Sequence, residues 1–154
     1  MKAKILLADS AEVREGLLFL LGGTWNQIGP LPQPFAIAGL IEVDWHECNE
    51  RHNVEFVIED IDGNPLMVQG SLAGEPQAFR LGTQFEVGRP PGSPQGTTFH
   101  LPIAINIPMI PWTPGRHYIL IVRINTVERD RIRFSVRPVA AAPQQPAAPP
   151  PSEP

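Results

Sequence analysis

The segment from Arg116 to Arg137 constrains the fold more than any other part of the chain. Tyr118-Ile119-Leu120-Ile121-Val122 is an unbroken run of five bulky apolar residues, which suits a strand covered on both faces. A central strand is therefore expected. A polar turn near Glu128-Arg129-Asp130 leads into a stretch that alternates strictly, with Ile132, Phe134 and Val136 facing one way and Arg131, Arg133, Ser135 and Arg137 the other. That pattern predicts a half-exposed strand, and the two together an antiparallel hairpin.

The remaining segments are read against that hairpin. Lys4 to Ala8 is a first short strand. Asp9-Ser10-Ala11-Glu12 has the spacing of a capping box, which predicts a single helical turn or tight bend ended by Gly16. Leu17 to Leu21, five apolar residues closed by Gly22-Gly23, reads as a buried strand with Trp25 at its exit. Pro30, Pro32 and Pro34 make a loop, since proline fixes φ and lacks a donor. Phe35 to Val43 is a long internal strand whose Gly39 signals a bulge or a close backbone approach. Asp44 to Asn53 is a polar connection with room for one helical turn.

Val54, Phe56 and Ile58 alternate with Glu55 and Glu59, Asp62-Gly63 supplies a tight turn, and Leu66 to Leu72 returns. Phe79, Leu81, Phe85 and Val87 form another half-buried strand. Gly88 to Gly96 is a glycine- and proline-rich exposed loop. Beyond it, every odd position from Phe99 through Leu101, Ile103, Ile105 and Ile107 to Met109 is apolar, while Pro102 and Pro108 sit at even positions. Both missing N–H groups then fall on the same side of the strand, which predicts an edge strand blunted on that side. From Pro138 onward seven of seventeen residues are proline, so 139–154 reads as a disordered or polyproline tail and 1–138 as the domain.

About eight or nine short strands with frequent turn signals and no convincing helix predict an all-β, two-sheet antiparallel sandwich. Immunoglobulin-like Greek-key connections are the first expectation and a closed β-barrel the alternative. Several landmarks also resemble a family of small uncharacterised bacterial proteins. They are Leu7-Ala8-Asp9, Leu21-Gly22-Gly23-Thr24-Trp25, Phe85-Glu86-Val87-Gly88-Arg89-Pro90-Pro91-Gly92, Ala104-Ile105-Asn106 and the Pro-Gly-Arg-x-Tyr of residues 114 to 118. The resemblance covers residues 5 to 138 and implies no catalytic residue.

Composition narrows the function classes. Of 154 residues, 42% are hydrophobic and 18% charged, which suits a globular chain. A formal net charge of −4 leaves no basic footprint for nucleic acid. Acidic residues from Glu42 to Asp62 crowd the middle, while six of the twelve basic residues lie in the terminal hairpin, as outer-face charges of two sheets would. With Cys48 as the only cysteine no internal disulfide forms, which points to a reducing compartment. The apolar stretch before Asp9 is short for a signal peptide, and no run approaches a membrane span. A cytoplasmic protein without a membrane partner is expected.

His46, Cys48 and His52 are the one cluster of metal-ligand residue types, but Glu50 stands where a zinc helix needs its second histidine. An ordinary polar loop explains them as well, so no metal or other cofactor is assigned. Asp60-Ile61-Asp62-Gly63-Asn64 misplaces the glycine of a calcium loop and puts Ser71 where glutamate belongs; a hairpin turn accounts for it. The prolines of the 88–98 loop delete the N–H groups that a phosphate cradle needs. No serine, nor Cys48, sits in a nucleophile signature. The candidate binding surface is Trp25, Trp45 and Trp112 near strand ends, with Arg89. The favoured function is a non-catalytic adaptor that binds a protein partner through loops or a blunted sheet edge. A small-ligand or carbohydrate-binding module is the alternative, and a metal-dependent enzyme built on His46, Cys48 and His52 the third.

Overall fold

Strands form over most of the apolar segments, the one expected to reach Met109 stopping at Ile107, and three further strands form at Ser10–Arg14, Gln27–Ile28 and Pro76–Ala78. The computed structural model describes residues 1–69 and 74–140. In chain order it contains β1 (Lys2–Ala8), β2 (Ser10–Arg14), β3 (Leu17–Leu21), β4 (Gln27–Ile28), β5 (Phe35–Val43), a 3-10 turn (Trp45–Glu47), β6 (Arg51–Asp60), β7 (Met67–Gln69), β8 (Pro76–Ala78), β9 (Arg80–Glu86), β10 (Phe99–Ile107), β11 (His117–Ile124) and β12 (Val127–Val136). A three-stranded sheet has the order β1-β5-β10 and a five-stranded one the order β4-β12-β11-β6-β9, with β2-β3 and β7-β8 as separate hairpins. Among the described residues no sheet closes on itself, which removes the barrel alternative. Ile5, Leu7, Ile37 and Ile41 from the small sheet join Phe56, Ile58, Leu120, Val122, Phe134 and Val136 from the large one in a single core.

β11 is central, with β12 on one side and β6 on the other. Leu120 and Val122 are fully buried, and Ile121, on the opposite face and in register with Val57 and Arg131, is buried too. Both faces of the apolar run are covered. β12 buries Phe134 and Val136 and exposes Arg131 and Arg133, as its alternation requires. The turn between them, however, is Asn125-Thr126 rather than Glu128 to Asp130. Both turn residues have positive φ, 50° and 69°, the geometry of a two-residue hairpin turn. Asn tolerates that region, and its side chain is held from outside: Asn53 N–H donates to Asn125 Oδ1 at 3.0 Å.

Gly39 marks a close approach. A Cβ there would lie 2.1 Å from the Lys4 carbonyl oxygen and 2.9 Å from Ile5 Cα in the neighbouring strand. β10 is an edge strand, and its register with β5 runs unbroken from Phe99↔Val43 to Ile107↔Phe35 straight through Pro102. That fits a proline whose missing donor faces the free edge. At Asp62-Gly63 the chain turns as expected, with Gly63 at φ 82° and the Leu66 N–H donating to the Ile58 carbonyl at 2.8 Å. The return splits into the β7-β8 hairpin; residues 70–72 of the expected strand, Ser71 and the tail from 141 lie outside the described residues.

The larger departure lies at the N-terminal side. No helical turn forms at Asp9 to Glu12; β2 and β3 instead make a hairpin around Glu15-Gly16, both at positive φ (52° and 74°). An acid-x-x-Glu spacing is satisfied as easily by a strand, whose Glu12 and Arg14 pair on one face at 3.0 Å. β3, expected to be buried, is largely exposed. The acidic middle and the basic hairpin meet on the outer face of the large sheet: Arg123 pairs with Glu55 (3.6 Å) and Glu59 (3.7 Å), and Arg80 of β9 joins Glu55 from the other side (3.2 Å). Half-exposed pairs of this kind add little stability but keep that face wet. No helix among the described residues is long and apolar enough to cross a membrane.

Candidate interaction surface

Two of the three tryptophans face inward. Phe35, at the start of β5, packs against Trp25 and Trp112 with centroids 6.1 and 5.6 Å away, and Tyr118 and Phe134 complete the cluster. Trp112 is 6% exposed, so its ring is not offered to a partner. Trp45 lies at the far end of β5, stacked on Phe99 at 6.3 Å. Arg89 joins it there. Its guanidinium sits 4.8 Å from the centre of the indole and donates to the Trp45 carbonyl through Nε (3.0 Å) and Nη2 (2.7 Å). The arginine thereby ties the 88–98 loop to the 3-10 turn. Across the same junction the Thr98 hydroxyl donates to Asp44 Oδ1 at 3.1 Å, and holds that carboxyl below its usual value.

The metal-ligand cluster is not assembled. His52 is buried, and hydrogen bonds occupy both of its ring nitrogens. Because Asn125 Oδ1 accepts from Asn53 N–H, the amide nitrogen must face the ring, and it donates to His52 Nδ1 at 3.0 Å. Nε2 then carries the proton and donates to the Glu47 carbonyl at 2.8 Å. Cys48 is buried with its thiol turned to the Asp44 carbonyl at 3.5 Å. His52 is thus a core residue that fixes the Asn125 turn. Among the described residues no group of three or more histidine, cysteine or acidic side chains is placed to hold a metal ion.

What the chain does present is the β2-β3 hairpin. β1 runs into β2 through one residue, Asp9, whose N–H donates to the Leu21 carbonyl at 3.0 Å. Gly22 lies across from it at φ 61°, where a Cβ would fall 2.0 Å from the Asp9 carboxylate as it is placed, so glycine leaves that side chain room without strain. The kink folds the hairpin over the outer face of the small sheet. Ala8, Ala11, Ala36 and Ala38 pack there with Leu6, Leu18 and Ala104 as a second, thin core, and the short side chains let the two layers come close. Asn106 of β10 clamps the hairpin: its Oδ1 accepts from Ala11 N–H at 3.1 Å and its Nδ2 donates to the Ala11 carbonyl at 2.9 Å.

The register fixes what faces out. Ser10 is opposite Leu21, Glu12 opposite Phe19 and Arg14 opposite Leu17, and directly opposed residues share a face. With Ala11 and Leu18 turned inward, Leu17, Phe19 and Leu21 are turned to solvent at 61%, 51% and 69% exposure. A shallow hollow of about 550 Å³ lies beside them, lined by Ser10, Glu12, Phe19, Leu20 and Asn106. A contiguous apolar face with a polar rim is the surface feature that marks an interaction site. Read as a buried strand, Leu17 to Leu21 hid this. The signal that finds it is the two-residue Glu15-Gly16 turn, which sets Glu12 and Arg14 on the same face as Phe19 and Leu17.

A second apolar hollow, of about 560 Å³, opens between the free edges of β9 and β10 and is lined by Val68, Phe79, Leu81, Ile105, Ile107 and Met109. Phe79 and Ile107 are buried core members there, so among the described residues this hollow borders the main core. No curated protein matches the chain significantly. Residues 4–137 match a family of unknown function, DUF6941, and the chain belongs to that family.

Proposed function

We propose that the chain is a non-catalytic protein-interaction module of the bacterial cytoplasm, built on an immunoglobulin-like β-sandwich. The fold reading is supported by the strand order: β1-β5-β10 in one layer faces β4-β12-β11-β6-β9 in the other, and the chain crosses between layers repeatedly, from β1 to β4, β4 to β5, β5 to β6, β9 to β10 and β10 to β11, as Greek-key sandwiches do. The cytoplasmic reading is supported by a lone, buried, unpaired cysteine. The binding surface is the outward face of the β2-β3 hairpin. One observation carries this: Leu17, Phe19 and Leu21 stand 61%, 51% and 69% exposed in a row on a face whose other side is clamped to the domain.

A photo-reactive amino acid at Leu17 or Leu21, compared with one at Gln84 on the wet outer face of the large sheet, tests the reading in cells. The expected result is a discrete protein adduct from the hairpin positions and none from Gln84. Equal or absent labelling at all three positions refutes it.

A further inference from the structure

We infer that the partner on the β2-β3 face is a second copy of this chain, stacked hairpin on hairpin about a twofold axis through Phe19. The inference rests on the reading of that face as a protein-binding surface, and three features of the face single out a copy of itself.

First, Leu17-Leu18-Phe19-Leu20-Leu21 reads the same in both directions. A twofold contact is isologous, each patch meeting itself reversed. Centred on Phe19, it sets Phe19 against Phe19 and Leu17 against Leu21, so apolar meets apolar along β3; Glu12, directly opposite Phe19 on β2, comes beside its own copy, and the Arg14 paired to each Glu12 is what offsets that contact.

Second, the face is neutral. The chain carries a net charge of −4, yet the two charged side chains on this face, Glu12 and Arg14, pair with each other at 3.0 and 3.1 Å. Identical surfaces repel unless each balances its own charge. The same neutrality argues against a lipid surface, which is gripped by a basic rim around the apolar residues.

Third, the area reaches the lower limit of a specific interface when the whole face is covered. At the exposures given, Leu17, Phe19 and Leu21 offer roughly 350 Å² per copy if a full side chain presents about 150–250 Å². Glu12 and Arg14, 59% and 67% exposed, add roughly 250 Å² on the same basis. Two stacked copies hide at most about 1,200 Å², with every exposed part of these side chains covered, which is the lower limit of specific interfaces. Association at micromolar concentration follows, because an interface of that size has little surplus over the cost of joining two bodies.

The test is sedimentation equilibrium of the full chain from low to several hundred micromolar, with wild type, Phe19→Glu and Phe19→Lys, each checked by circular dichroism for an unchanged fold. Wild type should move from 16.9 kDa toward twice that mass, and each variant alone should stay monomeric. Because Phe19 meets its own copy, an equimolar mixture of the two variants should dimerise again. A wild type that stays monomeric throughout, variants that dimerise alone, or a mixture that does not recover each overturns the inference. So does flotation of monomeric wild type with phosphatidylcholine vesicles. A monomer whose Leu17 position still labels a different protein removes the second copy and leaves the interaction module standing. A monomer with no adduct removes both.

Discussion

Two strand glycines give a matched pair in which the same substitution should act with opposite signs. At Gly39 on β5 an added Cβ would meet backbone, 2.1 Å from the Lys4 carbonyl oxygen, 2.9 Å from Ile5 Cα and 3.0 Å from the Lys4 carbonyl carbon. No rotamer relieves a backbone clash, so β1 must shift by more than an ångström against a normal strand spacing of about 4.8 Å. Overpacking of this kind costs about 1–3 kcal/mol. Distorting one or two of the ladder bonds flanking the Ile5↔Gly39 pair adds about 1 kcal/mol each. The lower chain entropy of alanine returns only about 0.5–1 kcal/mol. Gly39→Ala should therefore lose about 2–3 kcal/mol, a fall in Tm of about 5–10 °C for a domain this size. At Gly82 on β9 the new Cβ meets only the Val54 carbonyl oxygen, at 3.9 Å, so Gly82→Ala should be neutral or stabilising by up to about 1 kcal/mol. Urea titration followed by tryptophan fluorescence measures both. A Gly39→Ala protein as stable as wild type refutes the close-approach argument.

Further outcomes follow from the polar anchors. Asn125→Gly keeps the positive φ that the turn needs but leaves Asn53 N–H and His52 Nδ1 without their partner, and should cost about 1–3 kcal/mol in thermal unfolding; an unchanged midpoint would mean the side chain is idle. Asp60 accepts from the Asn64 amide (3.0 and 3.2 Å) and from the N–H groups of Asp62 and Asn64 (2.9 Å each). Those bonds, the Asn64 amide foremost, hold its carboxyl below the usual value. A folded-state value below the unfolded one means stability that is present above the unfolded value, near 4, and lost as pH falls through the folded one. The stability gap between wild type and Asp60→Asn should thus be flat from neutral down to about pH 5 and shrink below about pH 4; a gap that stays constant in acid would contradict it.

How much of this was legible depends on whether a residue's fate was decided locally. Ile132, Phe134 and Val136 alternate because one face of β12 is wet, and Pro102 is tolerated because β10 has one free edge; both facts are written in the spacing, whereas the end of that strand at Ile107, before Pro108 and an exposed Met109, is not. The Asn125-Thr126 turn was not, because its φ values rest on Asn53 and His52, more than seventy positions away. Nor was the Trp25-Phe35-Trp112 cluster, which joins two loops to the first residue of β5 and which only the packed sheets bring together. The sequence offers Arg89 as part of a binding surface with the tryptophans; that it is held by the Trp45 carbonyl, tying its loop to the 3-10 turn, is visible only in the fold.

The clearest case is a pair of five-residue apolar runs that a local pattern cannot tell apart. Tyr118 to Val122 lies between two neighbouring strands, with the core on one side and the stems of Glu55, Arg123 and Arg131 on the other. Leu17 to Leu21 has one neighbour, β2, and one covered face. If that difference lies in topology and not in the residues, replacing the outward row Leu17, Phe19 and Leu21 together by threonine, which keeps strand propensity, should change the stability of the dilute monomer by no more than about 1–1.5 kcal/mol. Leu120→Ala in the other run should cost about 2–5 kcal/mol by itself. Concentration separates the two further. A wild type that dimerises through the hairpin gains Tm as protein concentration rises, and the triple variant does not. Thermal melts by circular dichroism at low and high protein concentration read out both effects. A triple variant that collapses like Leu120→Ala in dilute solution would mean the chain covers that face itself, and the surplus apolar surface on which the binding argument stands would not exist.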